Sequence, residues 1–435
     1  MSIDNPFYHR GAIRQAEHFH GRTAVTTQIL ELLHNGQSVS LVGPRRIGKS
    51  SLLLHLQRQT IAKANAPLFM LLDCQEVGGS PAEHVYEALL CGLREAAQNA
   101  NIMLDEEDNI GTYRALDRTL RQLYRKNIPV VVLLDEFELL AGNDELSPYF
   151  FARLRGLTTK YGLAYLTASQ RPLYAITAQE EILSSPFFNI FVTVPLGSFT
   201  TDEAESLLQT RTAASQYHFS PALTTYLLEL VGAHPFFLHI AGYHAYQSLS
   251  HEAMGDLFAS LDSPIEAEAS SHLHYLWQNL TANEQHALII ANGDVDSVRH
   301  LQQQCLLIFD GTQFEYSSRM LRDFVRRQHV NGLIQAGPFV IDEQRHQVWG
   351  SLQMHLQLVN LTTSQFNLLL CLCQRGGQVV HGDVLETAVW GNPVADPDRL
   401  KTLIKRLRRA VTPHQKWVVS ERGVGYALRE ATSSK

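Results

Sequence analysis

Five short and largely apolar runs, at Ser38–Val42, Leu68–Asp73 and residues 130–134, 163–166 and 189–194, read as β-strands. The third of them, Val130-Val131-Val132-Leu133-Leu134, is apolar at every position, as a strand buried on both faces of a parallel sheet must be. A helical run, Leu52 to Leu56, follows the first strand, and a further helix is predicted to start near Thr201-Asp202-Glu203. Residues 270–280, 282–291 and 295–304 carry apolar positions at helical spacing. Two strands, 305–309 and 312–316, then flank Asp310-Gly311, a strong hairpin signal, and a last helix runs through Phe324.

At Gly337 the pattern changes to short strands, at Phe339–Asp342 and residues 347–349 and 356–361. Thr362-Thr363-Ser364 cap a helix over 365–374, Gly376-Gly377 end it, and a second helix covers 384–390. Asp396-Pro397 supply the N-cap and first-turn proline of a third helix. There Leu400, Leu403, Ile404, Leu407 and Val411 form one apolar stripe, and Arg399, Thr402, Lys405, Arg406 and Arg409 populate the other side. Residues 417–420 and 426–428 read as strands around Arg422-Gly423-Val424-Gly425, a wing able to carry Arg422 to a phosphate or a minor groove.

Length and composition narrow the class. A chain of 435 residues corresponds to about three domains, and 45% hydrophobic residues suffice for a core in each. The longest purely apolar run, 368–373, is far short of the roughly 18 residues of a membrane span. The first twenty residues lack an apolar signal core, so the expected location is the cytoplasm, with no membrane partner. Five cysteines without zinc or disulfide spacing read as buried thiols, and the twenty histidines show no metal-binding spacing. The net charge of −7 conceals an asymmetry: residues 396–435 hold ten Lys/Arg against four Asp/Glu, leaving −13 for the rest. An acidic body with a basic end fits a nucleic-acid-binding end, and equally a solvated basic helix face.

Between the first strand and its helix stands Gly43-Pro44-Arg45-Arg46-Ile47-Gly48-Lys49-Ser50-Ser51, which fills every fixed position of G-x-x-x-x-G-K-[ST]. Such a loop cradles phosphates with backbone N–H groups, while Lys49 reaches the β and γ oxygens and Ser50 can ligate Mg²⁺. The third strand runs into Asp135-Glu136 at the carboxyl edge of the sheet, where ligands bind. Asp135 would hold Mg²⁺ and Glu136 would polarise the attacking water. After the fourth strand, Arg171 either senses the γ-phosphate or pairs with a surface acid. The catalytic set expected is Lys49, Glu136 and Arg171.

With these motifs, the span from about Asn5 to Gln328 resembles the STAND branch of AAA-like P-loop NTPases, including the archaeal-ATPase-like group. Phe19-His20-Gly21-Arg22 is similar to the family's Gly-Arg motif, which implies that Gly21 and Arg22 border the adenine; Thr23, Ala24 and Val25 depart from the acids usual there. Val231-Gly232-Ala233-His234-Pro235-Phe236-Phe237-Leu238 resembles the Gly-x-x-Pro element of a helical lid, implying that Pro235 closes on the nucleotide. Gly232 ending one helix and Pro235 starting another would give the same sequence. The three helices and hairpin that follow resemble the family's winged-helix-like unit, whose helix 294–304 holds little basic charge and is expected to pack.

From Gly337 to Glu430 the chain resembles the OmpR-type winged-helix effector domain of transcriptional regulators, through Leu361-Thr362 with Phe366-Leu368-Leu369, Gly377-Gln378-Val379-Val380, Val389-Trp390-Gly391, Leu403-Ile404 with Leu407-Arg408, and Gly423-Val424-Gly425-Tyr426. The resemblance implies that Arg399, Lys401, Thr402, Lys405, Arg406 and Arg409 enter a major groove, with Arg422 on the wing. A winged helix used only for protein contacts is the alternative.

The expected architecture is α/β plus all-α and winged-helix: a P-loop NTPase core (1–198) with a five-stranded parallel sheet, a helical lid (199–255), a middle winged-helix-like domain (256–335) and a C-terminal winged helix (337–430). The expected function is an ATP-dependent switch that regulates transcription, with ATP/ADP and Mg²⁺ as cofactors and double-stranded DNA as partner. A homo-oligomer in the ATP state and a protein signalling partner stay open. The alternative function is an AAA-like ATPase that oligomerises on DNA or with a partner in replication initiation, transposition or phage defence.

Overall fold

The computed structural model describes residues 5–7, 10–59, 67–105, 111–176, 186–213, 215, 217–250, 257–328, 333–343, 345–352, 355–391, 397–421 and 424–429. Two units share the chain: Met1–Ser270 with Gln303–Cys305 and Ser317–Arg319, and Ser271–Gln302 with Leu306–Tyr316 and Met320–Lys435.

In the first unit the expected strands form one sheet. β1 (Ser38–Val42), β2 (Leu68–Asp73), β3 (Val130–Asp135), β4 (Ala164–Ser169) and β5 (Phe191–Pro195) lie in the order β2-β3-β4-β1-β5, every pair parallel. Alternation along β3 sorts its side chains between two cores. Val131 and Leu133 join Val39, Leu41 and Leu166 under helices α1 (Thr23–His34) and α2 (Lys49–Gln59). Val130, Val132 and Leu134 join Met70, Leu72 and Tyr165 under α3 (Ala82–Asn99), α4 (Tyr113–Arg125) and α5 (Pro148–Tyr161). A strand covered on both sides is apolar on both faces, and β3 is buried at all six positions, the first five apolar and the last the site carboxylate Asp135.

Helices follow the sheet: α6 (Thr201–Thr212), α7 (Pro221–Val231), α8 (Pro235–Ser250) and α9 (Leu257–Gln278), the last belonging to this unit as far as Ser270. A capping box between Thr200 and Glu203 starts α6, and Ser220 caps α7. The chain before the sheet lies on these helices. Phe7 is fully buried, stacks on Phe219 at 5.6 Å and occupies the space beside Gly242, where a Cβ would stand 2.6 Å from its ring. Asn5 donates to the Tyr243 carbonyl at 2.8 Å, and Arg10 pairs with Glu268, which also meets His244.

In the second unit α10 (Ala282–Ile289), α11 (Val295–Gln303), the hairpin β6 (Leu307–Phe309) and β7 (Phe314–Tyr316), and α12 (Arg319–Gln328) make the winged-helix-like set. The hairpin is two residues shorter per strand than its pattern suggested. A four-stranded antiparallel sheet follows, β8 (Leu333–Ala336), β9 (Phe339–Asp342), β10 (Gln347–Leu352) and β11 (His355–Leu358). β8 was not anticipated, and the sheet thus begins before Gly337, the glycine of the β8–β9 turn. The rest is α13 (Thr363–Gln374), β12 (Val380–His381), α14 (Gly382–Trp390), α15 (Pro397–Ala410), β13 (Val418–Glu421) and β14 (Gly425–Leu428), with a three-stranded sheet β12-β14-β13. One core joins Phe339, Phe366, Leu369, Leu385, Leu400, Ile404, Leu407 and Leu428. On the sheet's other side His286 of α10 stacks on Trp349 at 3.3 Å. Asp396, Arg422 and Gly423 lie outside the described residues.

Gly232 has φ +68° and ψ −163°, and a Cβ there would meet the Ser317 carbonyl oxygen at 2.2 Å. Gly36 has φ +70° with nothing near its missing Cβ. Gly232→Ala should therefore lower the thermal midpoint well beyond Gly36→Ala, which carries only backbone strain of about 1–3 kcal/mol. Parallel thermal melts of the two variants check this.

Candidate nucleotide site and candidate DNA interface

The loop between β1 and α2 is shaped by two glycines. Gly43 runs against β5's end, where a Cβ would stand 2.4 Å from the Leu196 carbonyl oxygen, and Gly48 takes φ +104°. Ile47 is fully buried, which anchors the loop, while Arg45 and Arg46 are exposed. Lys49, the first residue of α2, is 6% exposed and donates to the carbonyls of Gly43 and Pro44 at 2.9 and 3.0 Å. Burial lowers its pKa, and the carboxylates of Glu136, Glu138 and Asp135 work against that shift. Ser51 accepts a hydrogen bond from the Ile13 amide at 3.0 Å.

The carboxylates stand where β3 ends. Asp135 is buried, accepts from the Ser50 hydroxyl and from the Glu136 amide, and lies opposite Asp73 in the β2–β3 register. Burial raises its pKa, with Asp73 adding to the effect. Glu136 takes φ +47°, a left-handed backbone that turns the chain sharply off the strand. Its carboxyl is raised by burial first and by Glu138 and Asp135 after it, against Lys49 and Arg45. Glu138 in turn accepts from the Gln170 amide at 3.2 Å, which fastens this turn to the end of β4. β4 lies between the loop-bearing β1 and the acid-bearing β3, so all three strand ends open on one edge.

Arg22 closes the other side. It caps α1 with φ +65° and is 8% exposed. Its guanidinium donates to the Ile47 carbonyl at 3.1 Å and the Ser198 carbonyl at 3.2 Å and lies 4.5 Å from the Phe199 ring centre. Its amide donates to Glu203, and burial brings its pKa down to about 10. Gly21, at φ +65°, leaves room for Glu203 and Phe199, which a Cβ would approach to 3.1 and 3.2 Å.

These elements enclose a cleft of about 290 Å³. Of the residues expected to bind nucleotide, Arg22, Arg45, Arg46, Ile47, Gly48, Lys49, Ser50, Ser51 and Pro235 line it, with Glu136. Gly43 and Pro44 stand behind it with their carbonyls on Lys49, and Asp135 reaches it through Ser50. Arg171 is exposed and does not line the cleft; its carbonyl accepts from the Ser169 hydroxyl at 2.7 Å. The Arg10–Ile13 stretch in the wall, which has no periodic pattern, was not anticipated, nor were Phe199 and His239. Phe19 and Phe236 belong to the Gly-Arg and Gly-x-x-Pro segments; the first stacks on His55 at 3.9 Å and the second carries Arg46 at 4.2 Å.

In the second unit α15 buries Leu400, Leu403, Ile404 and Leu407 and exposes Arg399, Lys401, Thr402, Lys405, Arg406 and Arg409. Arg399 lies 4.6 Å from the Trp390 ring centre, and Lys401 donates to Asp398 at 3.0 Å. Arg408, on the flank, donates to the Val418 carbonyl and the Ser420 hydroxyl, holding β13 against the helix. Gly425 lets β14 pair with β12, since a Cβ would fall 2.0 Å from the Val380 carbonyl oxygen.

Residues 28–295 match the family model described as novel STAND NTPase 2, and residues 356–428 match that of the transcriptional regulatory protein, C terminal. The fold is similar to the Walker-type ATPase of Pyrococcus abyssi, with a TM-score of 0.55 over 74% of this chain and 99% of that one at 16% identity. The DNA-binding domain of CpxR from E. coli is 28% identical over 23% of this chain and 100% of its own, with a TM-score of 0.20. The phosphate loop, the acid-bearing strand and the helices behind them all fall inside the first matched span, more than half of the chain, so the protein belongs to the novel STAND NTPase 2 family and joins that NTPase to a DNA-binding domain of the transcriptional-regulator type.

Proposed function

We propose that the protein is an ATP-dependent switch that regulates transcription, residues 1–198 binding and slowly hydrolysing ATP, 199–255 acting as lid, 256–335 as relay and 337–430 as DNA reader. The observation that carries it is the presence on one chain of a phosphate loop beside two strand-end carboxylates and of a helix with an exposed cationic face. In this reading the amides of residues 45–51 cradle the phosphates, Lys49 pairs with the β and γ oxygens, and the apolar wall of Ile13, Phe199 and Phe236 takes the adenine. Ser50 and Asp135 offer hard oxygen ligands that suit Mg²⁺, which would offset phosphate charge when bound. Glu136 takes the proton of the attacking water. Because Arg46 rests on Phe236 of α8 and Arg22 joins Ile47 to Ser198, a shift of the loop is passed to the lid. Gly197, just before the lid, lies near Cys305, and Gly232, within it, lies against Ser317, the two residues flanking the hairpin segment. Arg399, Lys401, Thr402, Lys405, Arg406 and Arg409 read DNA, supported by Arg422.

Selection from a pool of genomic duplexes without nucleotide, with ADP and with a non-hydrolysable ATP analogue, at about 150 mM salt, tests the switch. Enrichment of one sequence that changes with nucleotide is expected; DNA-stimulated turnover by an oligomer without selectivity would replace this reading with that of an assembling ATPase.

Lys49→Ala is expected to abolish binding of a fluorescent ATP analogue and every nucleotide effect on DNA binding. Glu136→Gln should keep ATP binding and slow phosphate release by about 10²–10⁴-fold. Glu136 acts as a base only when ionised, so its raised pKa places the acid limb of kcat above the usual carboxylate range, with activity gained as pH rises through it. Glu138→Gln removes the nearest like charge and should move that limb to lower pH, measured as a pH–rate profile of both proteins.

A further inference from the structure

The acidic body holds a surface of opposite sign. On α4, Arg114, Arg118, Arg121 and Arg125 recur at i, i+4, i+7 and i+11, all exposed on one side of the helix, with Lys126 just beyond. α5 lies beside it and adds Arg153 and Lys160. Asp117 is the only acid in the two helices. It is buried, and it holds the neighbouring cations in place: Arg121 donates to it at 3.0 Å, and Lys160 and Tyr161 also donate to it. Arg153 is set between the rings of Tyr113 and Tyr149, at 5.0 and 4.4 Å. Tyr124 and Tyr149 are 55% and 64% exposed among these charges.

Arginines repeated at i, i+4 and i+7 along one helix repel one another, and a polyanion laid along the stripe relieves that repulsion. From Arg114 to Arg125 the stripe is about 16 Å long. Duplex DNA presents a phosphate charge about every 1.7 Å of its axis, about ten over that length. Guanidinium forks and tyrosine hydroxyls are the groups that bind such phosphates, and the chain already carries a DNA-binding domain. The face belongs to the layer of α3, α4 and α5, on the other side of the sheet from α2 and its loop.

We propose that the α4–α5 face of the NTPase unit is a second DNA contact, which binds the sugar-phosphate backbone without regard to sequence. It goes beyond the regulator reading, in which only the C-terminal domain touches DNA.

The test uses the full-length protein and fluorescein-labelled random-sequence duplexes of about 40 base pairs, with affinity measured by anisotropy from about 50 to 200 mM salt. Arg114→Gln/Arg118→Gln/Arg125→Gln leaves the Asp117 cluster intact. Its plot of log K against log salt should be shallower by about 2.7, so that the affinity lost across that salt range shrinks by about 40-fold. Arg114→Gln and Arg125→Gln singly should each flatten the slope by about 0.9, which keeps the test available if the triple variant does not fold. Lys405→Ala/Arg406→Ala/Arg409→Ala, tested alone and combined with the triple, separates the two readings: loss of sequence preference there speaks to the C-terminal domain, and the body stripe must still flatten the slope on that background. An unchanged slope in all three stripe variants overturns the proposal, as does stripe-dependent binding to phosphatidylserine vesicles with none to duplex.

Discussion

A buried guanidinium joins the parts of the nucleotide site to one another. Arg22 donates to the phosphate loop at Ile47 and to the segment between β5 and α6 at Ser198, lies against Phe199, and shares Glu203 through its backbone. A cation at 8% exposure is costly to desolvate unless its donors are satisfied, and the fall of its pKa to about 10 reports that cost. The loop and the segment after β5 must therefore sit where the carbonyls of Ile47 and Ser198 can meet it. Gly21 and Gly43 are the places where the backbone makes room for this arrangement, one for Glu203 and Phe199 and the other for the strand end at Leu196.

Around that tie, charge is organised in two separate ways. At the strand ends Asp73, Asp135, Glu136 and Glu138 cluster beside Lys49, and the mutual repulsion of the carboxylates keeps Asp135 and Glu136 raised in pKa, in addition to burial. On the outer helices the balance reverses, one buried carboxylate among cations. A net charge is a sum over both and describes neither.

Much of this was legible in the sequence where a single physical demand fixes the residue type. β3 had to be apolar on both faces, the phosphate loop needed Gly43, Gly48 and Lys49, and the stripe of Leu400, Leu403, Ile404 and Leu407 separated the packed side of α15 from its cationic side. What escaped depends on partners outside the segment itself. Residues 10–13 have no period of their own, and only the folded chain places them on the cleft. Strand β8 is four residues long and takes its identity from pairing with β9. The arginine stripe of α4 was present as a spacing, yet a division of the charge into basic end and acidic body averaged it away.

Phe7 is seated against Phe219 and Gly242, Asn5 bonds Tyr243 across 238 positions, and Arg10 meets Glu268 across 258. During synthesis residues 5–10 are made before the sheet, yet the side chains that seat them are made after it. With β5 ending at Pro195 and the seat at Phe219, Gly242, Tyr243 and Glu268, the sheet precedes its missing wall by about 25 to 75 residues of translation. Completion of the wall waits on the helices that follow the sheet, which makes a finished cleft a late event in the life of each chain.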